Sequence, residues 1–166
     1  LKPPREWPRT PLACHRVRPR DERAVMTALL RRKLARLVAA DSIPRDPKTG
    51  KPLVGGLFCV SKKDGKLRLI FDRRPQNSTN HRLHWARLPQ AAMFRHVVLT
   101  DSEMIRGSGD DLQVYFYCLE HEESWIPHNA VGREAHGDWL KEFGGVEGQS
   151  YYICFSVWGM GDTNSS

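Results

Sequence analysis

Three places in this 166-residue chain hold residue types and spacings suited to chemistry. The first is Lys62-Lys63-Asp64-Gly65-Lys66, with Arg68 two residues on. Cations crowded about a tight turn can hold phosphate oxygens, an arginine gripping two at once and a lysine acting as a point charge. An exposed hairpin kept soluble by its charges has the same composition. The second is Asp110-Asp111, running directly into the apolar, aromatic segment from Leu112 to Tyr117. A carboxylate at the end of a buried strand is costly unless it is paired or bound to a metal. Side chains alternate along a strand, so only one of two neighbours enters a given cleft. Magnesium takes carboxylate oxygens and keeps positions open for substrate phosphates. A loop pair that caps the next element is the plainer alternative. The third is the tail from Val157 to Ser166, an apolar run, then Gly159 and Gly161, then small polar residues. Backbone amides at such a turn can approach a base pair or a phosphate closely. A simple strand-to-helix connection has the same pattern.

Several elements must position these groups. Leu57 to Ser61 and Leu67 to Phe71 are short apolar runs on either side of the Asp-Gly turn, and they predict a β-hairpin. Before them, Val25, Met26, Leu29, Leu30, Leu34, Leu37 and Val38 recur at three- and four-residue steps. Arginines and Lys33 fill the other face. The pattern predicts an amphipathic helix over 22–40, capped by Asp21 and ended before Pro44. Residues 45–56 read as turns and 73–84 as a polar loop. Short helices are expected over 88–94 and 133–143, the latter closed by Gly144-Gly145. Strands are expected over 97–99, 125–131 and 151–157. Hairpins mixed with helices give an α+β fold class.

Composition bounds the rest. Hydrophobic residues make up 40% and charged residues 27%, enough for a packed core and against wholesale disorder. Residues 1–74 carry 20 Lys+Arg against 7 Asp+Glu, a net +13; the remainder carries 6 against 12, a net −6. A basic front and an acidic back fit a polyanion held by one part and a cation site in the other. Residues 1–20 are rich in proline and arginine, with no apolar core of a signal peptide, and read as an extended basic lead-in. No apolar run reaches the length of a membrane span, about 20 residues. Cys14, Cys59, Cys118 and Cys154 form no CxxC pair. They read as reduced, mostly buried thiols, and the location as intracellular, cytoplasm or nucleus.

The order and spacing of these signals carry a resemblance. Phe58-Cys59-Val60-Ser61-Lys62-Lys63-Asp64-Gly65-Lys66-Leu67-Arg68-Leu69-Ile70-Phe71-Asp72-Arg73-Arg74-Pro75-Gln76-Asn77 resembles the fingers segment of retrotransposon and retroviral reverse transcriptases. In that family an Asp followed by a hydrophobic residue comes some 35 to 40 residues later, with an aromatic five positions on. Asp111-Leu112 and Phe116 match this. Gly161 and Ser165 resemble the family's Pro-x-Gly-x-x-x-Ser turn, though Gly159 stands in place of its usual proline.

The resemblance covers roughly 21–166, with 21–100 as the fingers and 101–166 as the front of the palm. It implies an RNA-directed DNA polymerase, with RNA template, DNA primer and dNTPs as partners and Mg²⁺ or Mn²⁺ as cofactor. Asp111 is then a catalytic, metal-binding aspartate, with Asp110 as the alternative ligand. Lys62, Arg68, Phe116 and Gly161 surround the incoming nucleotide, Phe116 as the aromatic that blocks a ribose 2′-hydroxyl. Lys63, Lys66 and Arg74 contact template or other nucleic acid, and Asp72 supports the fingers. The family's Tyr/Phe-x-Asp-Asp carboxylates lie downstream of the motifs present, so the chain is expected to be an N-terminal portion without polymerase activity of its own. A non-catalytic basic nucleic-acid-binding module, or a degenerate element remnant, are the competing expectations. Oligomeric state is open.

Overall fold

The computed structural model describes residues 1–81, 91–109, 115–159 and 161–162. It is an α+β molecule built on two small antiparallel sheets. Strand β5 (Tyr151–Phe155) is the centre of the larger sheet, flanked by β1 (Ala35–Ala39) and β4 (Ala130–Ala135). Its five residues are all buried. Alternate side chains serve opposite faces, which explains the unbroken apolar sequence Tyr-Tyr-Ile-Cys-Phe. Tyr151, Ile153 and Phe155 join Met26, Leu29 and Leu30 in the main core; Tyr152 and Cys154 join Ile43, Ile126 and Ala130 in the second.

Helix α1 (Pro19–Arg31) supplies the layer over that sheet. It starts with Pro19 at its first position and Arg18 as the cap residue, three residues before the Asp21 cap expected from the sequence. It also ends nine residues earlier than the expected 40. Lys33 adopts a left-handed φ of 57°, Lys33 N–H donates to Leu30 O, and Leu34 N–H donates to Leu29 O. This paired closure is a Schellman motif. Residues 35–39 then leave the helical path as β1, in register with β5 from Ala35↔Phe155 to Ala39↔Tyr151. Leu37 and Val38 fit either period locally; the open edge of a fully apolar strand decides for β.

Other expectations change in a similar way. The segment expected as a strand over 125–131 is a 3-10 helix, Glu123–Asn129, and the strand is β4, Ala130–Ala135. The helix expected over 133–143 is consequently only the 3-10 turn Asp138–Phe143, closed by left-handed Gly144. Residues 97–99 form no strand and are exposed. Within 73–84, expected as loop, Arg74–Asn77 form one helical turn, α2. The helix expected over 88–94 falls partly outside the described residues; Ala91–His96 are 3-10.

The smaller sheet is the expected hairpin, β2 (Gly56–Ser61) with β3 (Leu67–Asp72), paired Gly56↔Asp72 through Ser61↔Leu67. Its base is tied to the larger sheet. Gly55 N–H donates to Ala130 O, and Gly132 N–H donates to Gly55 O.

The N-terminal lead-in is packed rather than loose. Trp7 is buried and its indole N–H donates to Lys2 O. Lys2 N–H reaches Thr79 O, and Thr10 Oγ1 donates to Asp46 Oδ2 at 2.5 Å. Further on, Leu57 N–H donates to His15 Nδ1, so Nε2 carries the ring proton and donates to Glu22 Oε2 at 2.8 Å. Glu22, buried on α1, also accepts from Arg133 N–H and its guanidinium, closing lead-in, helix and β4 into one network. Of the four free thiols only Cys154 is buried; Cys59 and Cys118 are exposed because their segments lie on the hairpin's outer half and on a surface turn. Among the described residues, no helix is long and apolar enough to cross a membrane.

Candidate nucleic-acid interface

The hairpin turn assembles four of the expected site residues. Lys62 N–H donates to Lys66 O, Gly65 N–H donates to Lys62 O, and Gly65 has a left-handed φ of 75°. This is a three-residue loop with glycine at the position that needs positive φ. Val60 pairs with Arg68 across the strands, so Arg68 points to the same face as Val60. Val60, Ser61, Lys62, Lys63, Asp64 and Arg68 line an open concavity of about 450 Å³. Lys66 pairs with Asp64 at 3.3 Å. Among the described residues, Lys62, Lys63 and Arg68 form no ion pair, although Asp64 in the same turn lies near enough to feel the charge of Lys62. Three cations outside any ion pair, against the single carboxylate of Asp64, leave this shallow concavity net positive and suited to a multiply charged phosphate.

Arg74 and Gly161 lie at the other end of the hairpin. Strand β3 separates Arg68 from Phe71 by three residues, about 10 Å. Arg74 is engaged by Asp72: Nε reaches Oδ1 at 2.9 Å and Nη2 reaches Oδ2 at 2.7 Å. The hydrogen-bonding guanidinium of Arg74 holds the Asp72 carboxyl below the usual carboxylate range. Asp72 also accepts from Cys14 N–H at 2.6 Å, so it ties lead-in to hairpin. Arg74 remains 60% exposed, leaving donors free beyond its grip on Asp72. Gly161, with φ of 120°, presses its backbone on Phe71 O, where a Cβ would collide. Asn77 Nδ2 donates to Gly161 O at 2.6 Å.

Phe116 sits half-buried in a 3-10 turn, Tyr115–Cys118, at the end of the apolar, aromatic segment singled out in the sequence. Tyr117 Oη donates to Leu69 O at 3.4 Å and attaches this turn to β3. Asp110 and Asp111 lie outside the described residues. Among the described residues no three His, Cys, Asp or Glu side chains converge on a point where a metal ion could sit.

Two structural features escaped the sequence reading. Arg73 is 1% exposed, forms a buried ion pair with Asp162, and lies over the Phe71 ring at 5.7 Å. Burial pushes its guanidinium down to about 10, which leaves it cationic at neutral pH. The pair locks the glycine-rich tail to the hairpin base. Nothing in the Arg73-Arg74 doublet distinguishes the buried arginine from the exposed one. The other feature is the arginine face of α1. Its charge was visible in the sequence, but not the concave surface it forms with Trp139.

A comparison with models of protein families finds no match for this chain, and a comparison with curated proteins finds none either.

Proposed function

We propose that the chain forms the fingers and the front of the palm of a reverse-transcriptase-type, RNA-directed DNA polymerase. The observation that carries this reading is the hairpin tip, where Lys62, Lys63 and Arg68 surround one concavity without forming an ion pair. Its support is the sequence order in which that tip precedes Asp111-Leu112, Phe116 and the Gly159–Gly161 turn. In this reading Lys62 and Arg68 bind the triphosphate of an incoming dNTP. Catalysis of phosphoryl transfer is chiefly positioning and charge stabilisation, which fixed cations supply without reorganisation.

Lys63, Lys66 and the exposed edge of Arg74 face the template or primer backbone. Phe116 excludes a ribose 2′-hydroxyl, and the backbone of Gly161 allows close approach of the nascent pair. Asp111, or Asp110 in its place, would hold Mg²⁺ or Mn²⁺ together with carboxylates supplied from elsewhere. When bound, the metal neutralises the triphosphate and the leaving pyrophosphate. Asp72 and Arg73 do not touch substrate in this reading; they fix the hairpin base and the tail.

Photocrosslinking tests the reading directly. A photoactivatable dATP analogue is expected to label residues 57–71, and the Lys62→Ala/Arg68→Ala variant to lose most of that label. Undiminished labelling of the variant, or labelling confined to other peptides, would sink the proposal.

A further inference from the structure

The outward face of α1 gathers Arg20, Arg23, Arg31 and Arg32 on one groove that the hairpin site does not use. We infer that this face and the turn Asp138–Phe143 together form a second contact for nucleic acid, a cradle for the phosphodiester backbone of a single strand. The inference takes only its partner class from the polymerase reading; the site itself is independent of the hairpin.

Helix α1 buries Glu22, Met26, Leu29 and Leu30, which leaves the opposite stripe without a covering element. On that stripe Ala24, Thr27 and Ala28 form the floor of a groove of about 880 Å³. Arg20 and Arg23 rim one end, Arg31 and Arg32 the other, and Trp139 and Glu142 form the far wall. Arg20 and Arg31 are eleven residues apart, about 17 Å along the helix. The small floor side chains leave room for a chain to lie between the cations.

The charges on this groove are poorly matched internally. Arg31 pairs with Glu142 at 3.0 Å, and Arg20 approaches Asp21 only at 3.9 Å. Both pairs are solvent-exposed, and exposed pairs exchange partners at little cost. Among the described residues Arg23 and Arg32 meet no carboxylate. Crowded like charges on one helix face are unfavourable, and a polyanion relieves them.

The aromatic wall points to a nucleic-acid strand rather than to isolated phosphate. Trp139 is half-exposed, and its indole N–H is fixed on His136 O at 2.9 Å. Arg23 lies over its ring at 5.5 Å, which holds that guanidinium at the groove rim. A cationic groove with an aromatic at its wall is the arrangement that tracks a single strand without reading its sequence.

The test is fluorescence polarisation of a labelled single-stranded oligonucleotide, RNA and DNA in turn, titrated from low to moderate salt. Arg23→Gln/Arg32→Gln removes two exposed cations that have no carboxylate partner, and circular dichroism checks that the fold is kept. Loss of two phosphate contacts should flatten the slope of log affinity against log salt by about 1.4 and weaken binding at 0.1 M salt on the order of tenfold. An unchanged slope and affinity in this variant overturns the inference. Equal displacement of the oligonucleotide by polyglutamate at matched charge also overturns it, in favour of an acidic protein partner. Lys62→Ala/Arg68→Ala, run in parallel, separates the two proposals. Failure of the groove variant alone leaves the hairpin reading intact; loss of dNTP crosslinking at the hairpin with a groove effect retained does the reverse.

Discussion

The three-stranded sheet and the hairpin are both antiparallel, yet they differ in almost every physical respect. Strand β5 is buried along its whole length, with Ile153 and Cys154 fully inaccessible and both faces packed. Burial in the hairpin fades from base to tip: Leu57 and Phe71 are core residues, while Leu67 is 66% exposed. The sheet joins residues more than a hundred positions apart, such as Ala35 and Phe155; the hairpin joins residues across a local turn. One region therefore supplies stability. The other extends charge into solvent, where a ligand can reach it.

Substitutions should reproduce this division. Phe155 stacks on Phe71 at 4.8 Å and is 1% exposed. Phe155→Ala should cost about 3–5 kcal/mol in denaturant unfolding. Leu67→Ala at the hairpin tip should change stability by less than about 0.5 kcal/mol. Similar costs at both sites would break the comparison.

Arg73 sits where the two regions meet. Arg73→Met leaves Asp162 buried without its cation, and a cost of about 3 kcal/mol or more is expected. Arg73→Met/Asp162→Asn should recover a large part of it. A neutral single variant would show that the buried pair does not fasten the tail.

A smaller effect than the loss of Arg73 is expected on pH dependence. His121 stacks on Trp158 at 5.2 Å, and its backbone amide N–H donates to Ser156 O beside the sheet. Burial first, and then the charge of Arg73, push its imidazole down to about 4 from an ordinary 6.5. Between those values the unfolded chain binds a proton that the folded chain refuses. Stability is therefore full above about pH 6.5 and falls as pH drops towards 4, by about 1–2 kcal/mol after allowance for partial exposure. Burial, and then Arg73, lower His128 as well. His121→Gln should accordingly flatten the profile without abolishing its slope, as read from unfolding midpoints at pH 4.5 and 7.

What the sequence revealed follows the same division. Asp64-Gly65 between two short apolar runs specifies a hairpin within a dozen residues, and its cations come with it. The start of α1 was readable to within three residues and the closing glycines at 144–145 directly. Residues 35–39 were misread because Leu37 and Val38 satisfy a helical period as well as a strand. The strand at 130–135 was misplaced because Trp125 and Ile126 have strand composition but fill a 3-10 turn over the second core.

By itself, then, the sequence determined the features fixed by local sterics and charge: the α+β class, the basic hairpin, the amphipathic helix and the apolar centre of the sheet. Only the tertiary structure decided which open edge of β5 captured residues 35–39. It also decided which of two adjacent arginines is buried and that the lead-in belongs to the core. Each of those choices depends on partners far away in the chain, and burial energy is settled by the whole set of packed surfaces rather than by any one segment.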